Sequence, residues 1–293
     1  MMISLTVLIP AYNEESAVSD IVRRCRETLS GQVDQFEILV VDDGSADQTA
    51  PAAKQAGARV VSHSVNRGYG RAILTGIEHA AHDWIGLIDA DGSYAPSTFR
   101  DLLPYVDKYD MVVGARTGSI FWGSVIKLPA RTAFHQLAEF VTGQKIPDLN
   151  SGMRLFKKSD AKNVELKFSQ GFSFTTTLTV AYLSENRTVR FVPIPYHSRV
   201  GRSKVHYLRD TLRAAQILVQ AIAFYNPLKA VLPLVLVQLL PALALFAIFI
   251  LSWVINSHQP AAFLAGSFLL AGACVTAAIG MAMDVYRTST RKK

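Results

Sequence analysis

The sequence predicts an α/β protein: a mostly parallel sheet with helices on both faces, followed by an amphipathic juxtamembrane helix and a two-helix transmembrane hairpin. Three observations carry this reading. Short apolar runs alternate with helix-period segments through the first two thirds of the chain, two long runs without charge fill the last third, and the basic excess lies between them. With 293 residues, 50% of them hydrophobic, and 2 cysteines, the chain is not disordered, not a disulfide-stapled miniprotein and not a small one-module binding domain.

Taken in order, Leu5–Pro10 is an apolar run of strand length, after which Ala17, Val18, Ile21, Val22, Cys25 and Leu29 recur at helical spacing. The pattern continues with a strand at Glu37–Val41, a helix near Ala46–Gln55, a strand at Arg59–Ser62, a helix at Tyr69–Ala81 and a strand at Trp84–Ile88. Further strands are expected at Met111–Gly114 and Val189–Ile194. Apolar strands alternating with helices pair in parallel, and such sheets bind ligands beyond the carboxyl ends of their strands.

Ala230–Ile255 and Ala261–Met283 contain no charged residue, and each exceeds the roughly 20 residues that cross a hydrocarbon core. Uncharged runs of this length are rare in globular cores, so they read as membrane spans rather than buried helices. Asn256–Pro260 joins them without a Lys or Arg, whereas Lys229 precedes the pair and Arg287, Arg291, Lys292 and Lys293 follow it. The positive-inside rule therefore places both chain ends in the cytoplasm. Thr6–Ile9 is too short an apolar run for a signal peptide. Cys25 falls in the cytosolic part and Cys274 in the second span, so no structural disulfide is expected.

Before the hairpin, Val205, Leu208, Leu212, Ala215, Val219 and Ile222 form one apolar helical stripe with Arg209 and Arg213 beside it, as an interfacial helix would. Arg187–Lys229 holds eight basic residues against Asp210 alone, a belt that suits anionic lipid or phosphate rather than nucleic acid. The expected organisation is a cytoplasmic domain over residues 1–201, a juxtamembrane helix over 202–228, spans over 229–256 and 261–284, and a basic cytoplasmic tail over 285–293.

Polar residues gather at the expected strand ends. The first strand runs into Pro10-Ala11-Tyr12-Asn13-Glu14-Glu15, the second into Asp42-Asp43-Gly44-Ser45 and the fourth into Asp89-Ala90-Asp91. Each has a structural account as turn or helix-cap chemistry. Together they crowd carboxylates on one rim, where mutual repulsion calls for a cation or ligand hydroxyls between them. Oxygen donors without a His/Cys cluster suit Mg²⁺ or Mn²⁺ rather than zinc.

LIPAYNEE, VVDDGS, NRGYGRA (Asn66–Ala72), DADGS (Asp89–Ser93), GAR (Gly114–Arg116) and DLNSGMRLF (Asp148–Phe156) stand in this order. In that order the chain resembles family 2 inverting glycosyltransferases of the Rossmann-like GT-A fold, above all the membrane-anchored polyprenyl-phosphate members such as the dolichyl-phosphate mannose synthases. The resemblance implies that Pro10, Tyr12, Glu14, Val41 and Asp43 line a nucleotide-sugar pocket, with Asp43 on the base or ribose. It implies a divalent ion on Asp91, with Asp89, Ala90 and Ser93 around the diphosphate and Asp89 and Ser93 in the metal shell. Asp89, Asp91 and Arg116 would be catalytic, Arg116 standing near the donor phosphates. Arg199, Arg202 and Lys204 would bind the acceptor phosphate.

A lipid phosphate arrives already ionised, with a second pKa of about 6, so this chemistry needs no general base. The implied activity is transfer of a hexose from a GDP-mannose or UDP-glucose type donor to a polyprenyl phosphate with inversion. Alternatives are a family 2 enzyme acting on a lipid-linked saccharide or polysaccharide, and a non-catalytic sugar-nucleotide-binding scaffold. The Q-x-x-R-W signature of processive synthases is absent. Asp148 is left as a site-lining residue, and assembly as a homo-oligomer stays open.

Overall fold

The computed structural model describes residues 3–117, 128–163, 174–197, 216, 220, 226–255 and 259–290. It divides into two units, Met1–Leu218 and Val219–Lys293. The stripe residues Val205–Ile222 and the basic residues Arg199, Arg202, Lys204, Arg209 and Arg213 lie outside the described residues.

The first unit opens with β1 (Ser4–Ala11), α1 (Val18–Leu29), β2 (Gln35–Asp42), α2 (Thr49–Gln55), β3 (Arg59–Ser62), α3 (Tyr69–His79) and β4 (Trp84–Leu87). A short α4 (Phe99–Leu102), β5 (Met111–Thr117), α5 (Leu128–Thr142), β6 (Arg154–Lys157), α6 (Lys158–Asn163), α7 (Phe174–Ser184) and β7 (Val189–Pro195) follow. The strands form one sheet in the order β3-β2-β1-β4-β6-β5-β7. β1 is buried on both faces, as a central parallel strand must be. Leu5, Val7 and Ile9 join Val18, Ile21, Val22, Cys25 and Leu29 of α1 in one cluster. Between them Leu8 faces the other way, packed so closely on Gly76 of α3 that a Cβ there would collide with it. Each such fully buried aliphatic side chain contributes about 1.5–3 kcal/mol.

Every strand pair is parallel except those made by β6, which runs antiparallel to β4 and to β5. β6 was not expected from the sequence, and its reversal has a consequence for the rim. The carboxyl ends of β1, β2, β3, β4, β5 and β7 all reach one edge, and the residues leading into β6 reach that same edge between β4 and β5. Strand order also reverses at β1, with β2 on one side and β4 on the other, which is where sheets of this kind open a ligand crevice.

The second unit contains α8 (Pro227–Val254) and α9 (Pro260–Thr290). Both are long and apolar enough to cross a membrane. Their large side chains, among them Val237, Leu240, Ile250, Leu264 and Phe268, are exposed. Asn226 caps α8 by accepting the Lys229 N–H, and the helix continues through Pro233 and Pro241. The two helices pack antiparallel on small residues: Gly266 lies against Ala242, and Gly280 against Val231. Midway, the Gln238 amide donates to the Thr276 hydroxyl at 3.1 Å, satisfying a polar group that hydrocarbon could not.

Candidate active site

β1 and β2 end in register, with Pro10 beside Val41 and Ala11 beside Asp42. Past them the chain turns sharply. Asn13 takes a left-handed φ of 52°, donates its N–H to Ser45 Oγ (2.9 Å), and accepts the Ala46 N–H (2.9 Å). The Glu14 N–H is capped by Thr49 Oγ1 at 2.8 Å. Asp42 accepts the Ser45 N–H at 3.1 Å. Gly44 is required here, because at φ 73° the backbone of Val65 comes within 2.5 Å of where a Cβ would stand.

Asp43 is buried and held from the loop after β3. Its Oδ1 accepts the Arg67 N–H (2.9 Å) and lies 2.7 Å from His63 Nδ1, while Oδ2 accepts the Gly68 N–H (2.8 Å). The next residue, Tyr69, opens α3 and donates its hydroxyl to Asp89 Oδ1 at 2.7 Å. Withdrawal from water, and then the Asp89 carboxylate, push the Tyr69 pKa well up, so the phenol remains a donor. The NRGYG segment thus links the acidic end of β2 to that of β4.

Beyond β4, Asp91 Oδ1 accepts the Ser93 N–H at 3.0 Å. Among the described residues the buried Ser93 hydroxyl has no hydrogen-bond partner. The turn before β6 closes the rim from the other side. Gly152 lies so close to Asp89 that a Cβ would collide with the carboxylate, and its N–H donates to Tyr94 Oη at 2.9 Å. Asp148, almost fully buried, forms a bidentate pair with Arg116: Nε to Oδ2 at 2.7 Å and Nη2 to Oδ1 at 2.9 Å. Burial opposes the Arg116 charge, but Asp148 more than offsets it and raises the pKa. Tyr196 stacks under the Arg116 guanidinium at 5.2 Å and meets Tyr94 edge-on at 5.3 Å. Arg154 is fully buried and pins this turn to α7 by donating to the carbonyls of Ser151 and Thr175 (2.9 Å) and to Thr179 Oγ1 (3.1 Å). Burial pulls its pKa down to about 10.

The residues expected from the sequence at Pro10, Val41, Asp43, Asp89, Asp91, Ser93 and Arg116 therefore occupy one rim, with Tyr12 and Glu14 on the turn after β1. Arg199, Arg202 and Lys204 lie outside the described residues. Sequence reading missed His63, Tyr69, Tyr94, Gly152, Arg154 and Tyr196 as site residues, and it left the bond between Asp148 and Arg116 unseen.

The donor set fits a hard divalent cation. Asp91 and Ser93 offer oxygen, and the Ser93 hydroxyl is a buried polar atom lacking a partner among the described residues. Among the described residues no three His, Cys, Asp or Glu side chains converge as a self-sufficient cage. Mg²⁺-type sites need only one or two carboxylates, completed by substrate phosphate and water.

The model of Glycosyl transferase family 2 matches residues 6–164. Among curated proteins, the chain is similar to Glycosyltransferase AglJ of Haloferax volcanii, 29% identical over 200 residues that cover 67% of this chain and 64% of the relative. It is also similar to the undecaprenyl-phosphate 4-deoxy-4-formamido-L-arabinose transferase of Edwardsiella ictaluri, 32% identical over 165 residues, covering 54% and 50% respectively. The chain thus spans one half to about two thirds of these relatives. Among solved structures, glucosyl-3-phosphoglycerate synthase from Mycobacterium tuberculosis in complex with Mn²⁺, UDP and phosphoglyceric acid superposes with a TM-score of 0.63. Its identity is 19%, with 75% of this chain and 78% of that chain covered. By sequence match and by its sheet of GT-A architecture, the chain belongs to glycosyl transferase family 2.

Proposed function

We propose that this protein transfers a hexose from a nucleotide-diphosphate sugar, of GDP-mannose or UDP-glucose type, to a polyprenyl phosphate at the membrane, inverting the anomeric centre. The observation that carries this reading is the convergence of Asp89, Asp91 and the buried Ser93 hydroxyl, which has no hydrogen-bond partner among the described residues, on the rim beyond β4. A divalent ion bound there would supply the positive charge that a departing nucleoside diphosphate needs. Asp91 and Ser93 would hold it, and Tyr69 would keep Asp89 oriented toward the same point. Pro10, Tyr12, Glu14, Val41 and Asp43 would receive the nucleoside, and Ala90 the diphosphate.

Arg116 is a fixed cation rather than a swinging one. Its Nε and Nη2 both donate to Asp148, which fixes the plane of the guanidinium and with it the place of the positive charge at the rim. The acceptor phosphate is already charged, so positioning and charge neutralisation replace proton abstraction. Arg199, Arg202 and Lys204 are proposed to hold that phosphate. The exposed apolar helices α8 and α9 support a membrane anchor, and the positive-inside rule supports a cytoplasmic site and cytoplasmic termini. The name of the undecaprenyl-phosphate relative supports the acceptor class.

The test is product formation by the full-length protein in detergent, given labelled nucleotide sugars, a polyprenyl phosphate and Mg²⁺ or Mn²⁺. A mild-acid-labile lipid monophosphate sugar is expected. Transfer only to a lipid-linked saccharide, or nucleotide binding without turnover, would overturn the assignment in favour of the other acceptor class or a scaffold.

A further inference from the structure

One buried imidazole at the rim has no part in the chemistry above. His63 follows β3, and its side chain is 6% exposed against 4% for Asp43. Its Nδ1 lies 2.7 Å from Asp43 Oδ1, and its Nε2 lies 3.0 Å from Thr75 Oγ1 on α3. Against an ionised carboxylate Nδ1 carries the proton, so in the neutral ring Nε2 accepts a hydrogen bond that the Thr75 hydroxyl donates. Thr75 and Asp43 therefore agree on a single tautomer.

The lone pairs of Asp43 can be counted. A carboxylate offers about four acceptor directions, two on each oxygen. Oδ1 uses both of its own, on His63 and on the Arg67 N–H, whereas Oδ2 uses one, on the Gly68 N–H. A single direction on Oδ2 is left.

We propose that His63 is a positioning residue that sets nucleobase choice: by occupying Oδ1 it leaves Asp43 able to accept one N–H, favouring uracil over guanine. Guanine offers a carboxylate two adjacent donors, its ring N–H and its exocyclic amine, and satisfying both takes one acceptor on each oxygen. Uracil offers one imide N–H. A guanine seated on Asp43 would leave its second donor unpaired or would have to displace His63, and an unpaired buried donor weakens binding. The inference rests on the reading above that Asp43 belongs to the nucleotide pocket, and it narrows the donor to a uridine diphosphate sugar.

The experiment measures UDP and GDP affinity by calorimetry on the full-length protein in detergent with Mn²⁺, for the wild type and two variants. In His63→Asn the amide nitrogen stands in for Nδ1 and still donates to Asp43. In His63→Gln it stands in for Nε2 and does not. UDP is expected to bind the wild type at least about tenfold more tightly than GDP. His63→Asn should keep most of that preference, and His63→Gln should lose most of it through weaker UDP and stronger GDP binding. Equal wild-type affinity for UDP and GDP would overturn the proposal even if a variant failed to fold. A wild-type preference that His63→Gln and His63→Asn alter equally would overturn the role of His63 alone. A wild type that binds neither nucleotide would overturn the underlying reading together with this one.

Discussion

After β2 the rim is closed on itself: Asp43 is buried, and two backbone N–H groups and an imidazole hold it. After β4 the rim is equally buried at Ser93, yet the Ser93 hydroxyl has no partner among the described residues. An unmet buried hydroxyl costs about 1–3 kcal/mol, whereas a carboxylate held by three hydrogen bonds is a rigid fixture. The two ends therefore divide the work. One is held rigid by the protein with a single acceptor direction left and suits recognition of a rigid group such as a nucleobase, and the other offers an unpartnered hydroxyl and suits a cation with its diphosphate.

The largest effect that can break this comparison lies at the β4 end. Asp91→Ala is expected to lower kcat/KM by about a thousandfold or more, several kcal/mol of transition-state stabilisation, and to abolish the response to added Mn²⁺. Steady-state turnover across a Mn²⁺ titration measures this. Retained turnover with an unchanged metal response would move the cation off Asp91 and leave the β4 end without its proposed task.

A smaller effect is expected from Asp148→Ala, which strips Arg116 of its bidentate partner. Asp148 is 1% exposed and the Arg116 side chain 17%, so the loss takes the bidentate carboxylate from a mostly buried cation. Breaking such a pair costs about 3 kcal/mol or somewhat less with that residual exposure. Thermal unfolding should register it, and turnover should fall about a hundredfold because the guanidinium is no longer aimed. Unchanged turnover with reduced stability would make the pair a strut of the sheet and remove Arg116 from the site.

The half of the sheet built from β1 to β4, which carries both ends, was the more legible one. β1 to β4 alternate with amphipathic helices whose apolar spacing is regular, and their strands were located within a few residues. In the other half β5 and β7 were located as well, at Met111–Gly114 and Val189–Ile194 against Met111–Thr117 and Val189–Pro195, but β6 and α7 were not. Arg154–Lys157 is four residues with no alternation, so β6 carries no periodic signal and was treated only as part of a motif. α7 is buried on every side and rich in threonine, which erases the polar face that identifies a helix. The acidic positions were visible because carboxylates cluster at strand ends. Their partners were not, since His63 and Gly152 act across distances in sequence that only the folded turn closes, and nothing in the local sequence marks Arg154 as buried.

The smallest effect tests the contrast most directly. Ser93→Ala removes a hydroxyl that makes no hydrogen bond among the described residues, so ligand-free stability should hold or rise by about 1 kcal/mol as an unmet polar group disappears. The stabilisation gained on adding Mn²⁺ with nucleoside diphosphate should shrink at the same time, because the missing oxygen belonged to the ligand's shell. At the β2 end the signs reverse. Removing the carboxylate of Asp43 strands two backbone N–H groups and an imidazole N–H, so ligand-free stability falls before any ligand is added. Melting curves of Ser93→Ala with and without Mn²⁺ and UDP separate the two cases. A drop in ligand-free stability with an intact ligand response would show Ser93 to be part of the scaffold, and the two ends of the rim would then be built alike.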